Sequence, residues 1–157
     1  MPKVLPNRMM AEIDGDFVVF LIGMRINRWW KIHKWWPVAM AMPRMVRELS
    51  VHPDLGCLHA ELRFGVSIQY WRSFAHLESY AKDASREHLP AWKAFNGKVR
   101  TSSGDVGIWH ETFLVRAGEY ETLYGAMPRV GLARAGRHVP ISGPRDTARL
   151  RLAKEPA

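Results

Sequence analysis

The sequence predicts an α+β domain with the order β-α-β-β-α-β, the ferredoxin-like arrangement, in which helices cover one face of an antiparallel sheet. Three observations carry that expectation. Residues 17–24 are apolar on both faces, as in a central strand. Residues 38–49 place apolar side chains at helical spacing. Two strand-like runs meet at Gly65, ahead of a second helical region and a last strand at 106–115.

Taken in order, residues 1–15 read as an irregular extension that ends in the turn Asp14, Gly15, Asp16. The strand at 17–24 leads into a Trp-rich segment opened by Asn27. Pro37 suits the first turn of a helix, in which Val38, Met42, Met45, Val46 and Leu49 form one stripe. Pro43 should kink or tighten that helix, and His52 and Pro53 should end it. A hairpin follows, with strands at 55–64 and 66–71; Val66, Ile68 and Tyr70 face one side, Ser67, Gln69 and Trp71 the other. Ser73 is a good N-cap for a helix that turns Phe74, Leu77 and Tyr80 inward. Ser85 is a candidate cap for a further segment through Leu89, Trp92, Phe95 and Val99. Residues 101–105 should form a loop. The expected organisation is an extension at 1–15, the ferredoxin-like domain at 16–118, and a C-terminal extension at 119–157 whose basic tail would wrap a partner subunit.

Composition bounds the function. A chain of 157 residues makes one ordinary domain, able to bury roughly two-thirds of its unfolded surface. Seven tryptophans and eight methionines suit a large core, an irregular pocket or an interface. The single cysteine, Cys57, excludes an internal disulfide and a cysteine-based zinc cluster, and its apolar neighbours mark an inert thiol. No run reaches the roughly 18 apolar residues of a spanning helix, and the start lacks a signal-peptide core, so a cytoplasmic location is expected. Half of the net charge of +8 comes from residues 131–157, where six Lys and Arg meet only Asp146 and Glu155. No nucleic-acid-binding signature accompanies that charge, so nucleic acid is not an expected partner.

Chemistry is best sought on the last strand, which sets Trp109, His110 and Glu111 side by side. Alternation sends His110 and Thr112 to one face and Trp109, Glu111 and Phe113 to the other, so His110 and Glu111 cannot act as a dyad. His110 is either a general base in a partly apolar pocket or a core histidine bonded to a backbone carbonyl. His88, a turn before Trp92, is a proton-transfer group or a solvated helix-start histidine. Tyr70 could orient a substrate; core packing is its other reading. Among Trp29, Trp30, Trp35 and Trp36, interleaved with Arg28, Lys31, His33 and Lys34, Trp29 and Trp36 are candidates for a ligand pocket. The other readings of that run are packing in a core or dimer interface and, third, a membrane surface; the segment should instead dock on its own sheet. Beyond the last strand, Tyr120, Tyr124 or Arg129 could close a partner's pocket. No histidine pair has the spacing of a helical metal site, and no dinucleotide fingerprint is present, so flavin and nicotinamide are not expected.

Several segments together resemble a known family: 28–36, 69–73, 88–92, 105–112 and 125–129. The chain is similar over roughly residues 16–136 to a bacterial and fungal domain-of-unknown-function family whose members are labelled monooxygenase-like. That family is similar in turn to the dimeric α+β barrel superfamily, which includes antibiotic-biosynthesis monooxygenases, haem-degrading enzymes and aldoxime dehydratases. The resemblance implies a homodimer whose two sheets close a barrel, with a pocket between the sheet and helices of each subunit. It implies that His88 lines that pocket and would be the metal-ligating residue if haem is bound. The long Trp-rich connection and the C-terminal extension depart from the haem-degrading pattern. The function expected is that of a monooxygenase-like oxidoreductase acting on a small apolar or aromatic molecule, with haem as an open cofactor question. His110, His88 and Glu111 are the catalytic candidates; Trp29, Trp36, Tyr70, Trp92, Trp109 and Tyr124 are the substrate-binding ones. A non-catalytic dimeric ligand- or haem-binding protein and a haem-dependent aldoxime dehydratase-like lyase are the alternatives.

Overall fold

A computed structural model of the chain describes residues 3–99 and 104–152. Among them the elements run β1 (Met9–Glu12), β2 (Phe17–Ile26), α1 (Ile32–Val51), β3 (Cys57–Arg63), β4 (Val66–Trp71), α2 (Phe74–Lys82), α3 (His88–Val99), β5 (Val106–Val115), α4 (Leu132–Ala135), β6 (Arg137–Pro140) and α5 (Ala148–Leu152). Four strands form one antiparallel sheet in the order β3-β4-β2-β5. With α1 after β2 and α2 and α3 after β4, this is the ferredoxin-like fold that the element order predicts. Residues 101–103 of the expected loop and Lys154 and Glu155 of the basic tail lie outside the described residues.

The doubly apolar run becomes β2, an inner strand paired with β4 on one side and β5 on the other. Its even-numbered side chains, Val18, Phe20 and Ile22, pack with Ala41, Met42, Met45 and Leu49 of α1, and with Trp71, Leu77 and Tyr80. At Ser73 the hydroxyl accepts the backbone N–H of His76 at 3.3 Å, so the predicted cap of α2 forms. Ser85 caps nothing. Its N–H and hydroxyl both donate to Asp83, and α3 starts at His88.

Two expectations fail for physical reasons. The first helix begins at Ile32, more than a turn before Pro37, and runs on through Pro37 and Pro43. Tertiary contacts hold that early turn: the Lys31 ammonium meets Asp105 at 3.0 Å, and Trp35 Nε1 donates to the Trp29 carbonyl at 2.8 Å. As a result the Trp-rich segment does not dock on its own sheet, and Trp29, Trp30 and Trp36 stand exposed. The second failure is at the N-terminus, where β1 replaces the irregular extension by pairing antiparallel with β6. A partner more than a hundred residues away leaves no local signal. This small sheet, with α4, Tyr120 and Tyr124, covers one end of the main sheet's other face around Phe17, Val19 and Tyr70.

Candidate active site

The register of the main sheet builds the site's floor. Phe20 lies between Gln69 of β4 and Thr112 of β5, and Ile22 between Ser67 and His110. All of these point to the helical side. The α2 helix adds Phe74, Leu77, Glu78 and Ala81, α3 adds His88 and Trp92, and α1 adds Met45. All but Ser67, which lies beneath, line a cavity of about 210 Å³. A second cavity of about 130 Å³, between α1, α3, Ile22 and Ile108, shares His88, Trp92 and Met45 with the first.

The two histidines on this cavity are held differently. His88 Nδ1 lies 3.1 Å from the Ala81 carbonyl, an acceptor only, so Nδ1 carries the proton and Nε2 presents its lone pair. Burial lowers the His88 pKa from 6.5, the Ala81 bond opposes that shift, and His110 lowers it further. The ring is therefore neutral near pH 7, as a base or a metal ligand must be. His110 packs against Phe20 with ring centroids 5.7 Å apart and is exposed on its other side.

The floor also holds a polar chain that the sequence did not single out. Trp71 Nε1 donates to Gln69 Oε1 at 2.9 Å, and Gln69 Nε2 donates to Ser67 Oγ at 3.2 Å. The tryptophan fixes which way the amide points. A primary amide has two N–H donors, and Ser67 takes one. Gln69 is 5% exposed and lines the cavity, so a second N–H is available to an oxygen bound there. Alternation along 66–71 already paired Gln69 with Trp71; the missing signal was the register that sets Gln69 across Phe20 from Thr112.

Of the residues expected at a site, the structure brings together His88, His110 and Trp92. The rest lie elsewhere. Glu111 and Trp109 are on the opposite sheet face, and Trp109 lies over Gly23, where a Cβ would come within 2.7 Å of the indole. Tyr70 and Tyr124 share that face under α4. Burial pushes the Tyr70 hydroxyl up to about 12, and Tyr124 accepts the Ala133 N–H at 3.2 Å. Trp29 and Trp36 are on the surface near the start of α1. Arg129 donates to the Ala133 and Gly136 carbonyls of its own chain, and Ile13 N–H donates to the Tyr120 hydroxyl at 2.6 Å. His59 finds a partner that spacing did not reveal, Glu61, at 3.4 Å. Burial pushes the Cys57 thiol up to about 12, as an inert thiol requires.

Haem makes two demands on such a site. The donor is suitable, because a carbonyl on Nδ1 orients a histidine to ligate through Nε2. The space is not. Each cavity is below the roughly 300 Å³ at which pockets for drug-sized ligands begin. As these side chains stand, the site suits a small molecule rather than a macrocycle.

Comparison with known proteins bears on the same region. The sequence model of a family described as Monooxygenase af470-like matches residues 17–132, from the start of β2 to the first residue of α4. Monooxygenase af470 of Aspergillus fumigatus is 29% identical over 129 residues, which cover 70% of this chain and 42% of that protein. The chain thus spans about two-fifths of the length of this curated relative. Among solved structures, aldoxime dehydratase OxdRE in complex with butyraldoxime superposes with a TM-score of 0.62 at 15% identity, covering 85% of this chain and 41% of that one. At that identity the likeness is one of fold. A Bacteroides thetaiotaomicron protein of unknown function gives a TM-score of 0.43 at 12% identity, covering 65% of this chain and 99% of that one.

Proposed function

This chain belongs to the monooxygenase af470-like family, and from that membership we propose that it is an oxygen-using enzyme whose site is the cavity between His88 and His110. Its substrate is a small aromatic or otherwise apolar molecule with an acidified C–H beside a carbonyl or phenol oxygen. The observation that carries this reading is the state of His88: neutral, its tautomer set by Ala81, its free nitrogen on a cavity walled by Phe20, Leu77, Phe74 and Trp92.

The chemistry follows from those groups. His88 Nε2 removes the activated proton, and the second N–H of Gln69 stabilises the charge that collects on the substrate oxygen. The carbanion supplies the electron pair that reduces dioxygen, forming a C–O bond to a peroxide. Return of the proton gives a hydroperoxide, which loses water to leave a carbonyl. A methylene and O₂ thus become a carbonyl and H₂O, with no outside reductant. The apolar walls favour entry of both the substrate and dioxygen. His110, nearer to solvent, can pass protons between His88 and water.

The reading includes a homodimer formed on the sheet face away from the helices, where Trp109 and Phe113 are 40% and 49% exposed. It is tested by oxygen uptake on a panel of electron-rich phenols and 1,3-dicarbonyl compounds. With ¹⁸O₂, one labelled atom should enter the product and one the water. His88→Ala should slow uptake by roughly 10²-fold or more and leave substrate binding nearly intact. Binding without uptake in the parent would instead make the chain a ligand-binding protein. A stoichiometric Soret band on haemin titration, lost in His88→Ala, would overturn the cofactor-free route.

A further inference from the structure

We propose that the outward side of α1 and the turn before it form a docking surface for an anionic lipid bilayer. Ile32, Trp36 and Met40 recur every fourth residue and so lie along one side of the helix, away from Ala41, Met42, Met45 and Leu49 in the core. Trp29 and Trp30 extend that stripe into the turn. Exposures are 72% for Trp29, 61% for Trp30, 56% for Ile32 and 54% for Trp36. These rings are fixed rather than trailing: Trp29 and Trp30 meet edge to face at 6.1 Å, Trp35 and Trp36 at 5.9 Å, and Trp35 Nε1 binds the Trp29 carbonyl. A contiguous, ordered apolar stripe held in water is the kind of surface that marks a partner.

The surrounding charge identifies that partner. Residues 25–47 contain six Lys and Arg and no Asp or Glu. Two carboxylates reach this segment from elsewhere: Asp105, which is 2% exposed and pairs with Arg28 and Lys31, and Glu87, which pairs with Arg44. Among the described residues, Arg47, on the same side of α1 as Met40, has no ion pair. A second copy of the chain is a poor match, because a twofold contact would set this cationic patch against itself. A nucleic acid would meet the charges and stack on the rings, yet leave Ile32 and Met40 in water. A bilayer interface satisfies all three kinds of group. Tryptophan rings settle at the headgroup level, aliphatic side chains reach the acyl boundary, and Arg and Lys meet anionic headgroups. The docking stands whether or not the proposed reaction is the right one.

The test uses the whole chain with vesicles of phosphatidylcholine alone and of phosphatidylcholine mixed with phosphatidylglycerol. Co-sedimentation should be strong only with the mixed vesicles and should weaken with added salt. Tryptophan emission should shift to the blue and be quenched by brominated lipid. Trp29→Ser/Trp36→Ser should weaken partitioning by roughly tenfold or more, and Arg47→Gln by about fivefold. The circular dichroism of these variants should match the parent, since the altered side chains are exposed. Failure of the parent to bind mixed vesicles overturns the proposal whatever the variants do. So does undiminished binding by the Trp variant, which would shift the attraction to the basic tail, and so does equal competition by an oligonucleotide without a blue shift.

Discussion

His88 and His110 line one cavity, and the carbonyl on His88 Nδ1 separates their roles. In the proposed reaction His88, its proton fixed on Nδ1, is the base, so His88→Ala should lower kcat by roughly 10²–10⁴. His110→Ala should lower it much less, since water can replace a relay at the cavity mouth. Because the His88 pKa lies below 6.5, the neutral form that the proposed reaction uses should predominate near pH 7. In a kcat/KM profile, activity should fall only on the acid side, and a limb centred above 6.5 would remove His88 from the role. Gln69→Leu should reduce kcat by about 100-fold with a smaller change in KM, because the donor matters most once charge has formed. That change also takes the acceptor from Trp71 Nε1, so its stability should drop by about 1–3 kcal/mol in a denaturant titration. The facing of His110 and the opposition of Glu111 were legible in strand alternation alone. Gln69 was not, since an amide among apolar neighbours declares no chemistry until register places it on a cavity.

Elements governed by neighbours in sequence were the readable ones. The hairpin, the Ser73 cap and β5 each depend on a few adjacent residues and form where expected. The β1–β6 sheet and the early start of α1 depend on distant partners, Arg137–Pro140 in one case and Asp105 in the other. The hairpin turn carries a local conflict. Phe64 and Gly65 both have positive φ, 46° and 81°, as a two-residue turn of this hand requires, yet Phe64 is a fully exposed aromatic residue. Phe64→Asn should therefore raise stability by roughly 1 kcal/mol, relieving left-handed strain with no burial to lose. A melting temperature unchanged or lowered by this substitution would count against that account. Gly136 makes the opposite case. A Cβ there would collide with the Glu12 carbonyl, where α4 meets β1, so Gly136→Ala should separate the small sheet. Hydrogen exchange should report the loss first at Ala11 and Ile13, whose N–H groups bond Thr122 and Tyr120.

The whole molecule answers to pH through groups scattered over both faces of the sheet. The sequence showed seven histidines; which of them would be buried depended on the two-layer packing and on an extension whose fold has no local signal. His59, His88 and His138 all have pKa values lowered from 6.5, with burial the largest cause in each. For such a histidine the unfolded chain binds the proton more readily, so its contribution to stability is complete above 6.5 and is lost as pH falls. Asp105 and Glu61 act in the same direction at lower pH. Lys31 holds the Asp105 carboxyl down; for Glu61 burial opposes, but His59, the Gly131 N–H and Arg63 prevail. A carboxylate with a depressed pKa stabilises above its unfolded value and loses that contribution on acidification, so no limb compensates another. On acidification from neutral pH, melting temperature should thus fall in a first, histidine-driven limb below about pH 6.5 and a second, carboxylate-driven one below about pH 4.5. His138 separates the two limbs. Its ring nitrogens are buried without a protein partner, and it meets Tyr124 edge to face at 5.2 Å, a contact that phenylalanine can keep. His138→Phe should therefore flatten the first limb and leave the second in place. An unchanged slope just below pH 6.5 in that variant would remove His138 from the first limb and leave it to His59 and His88.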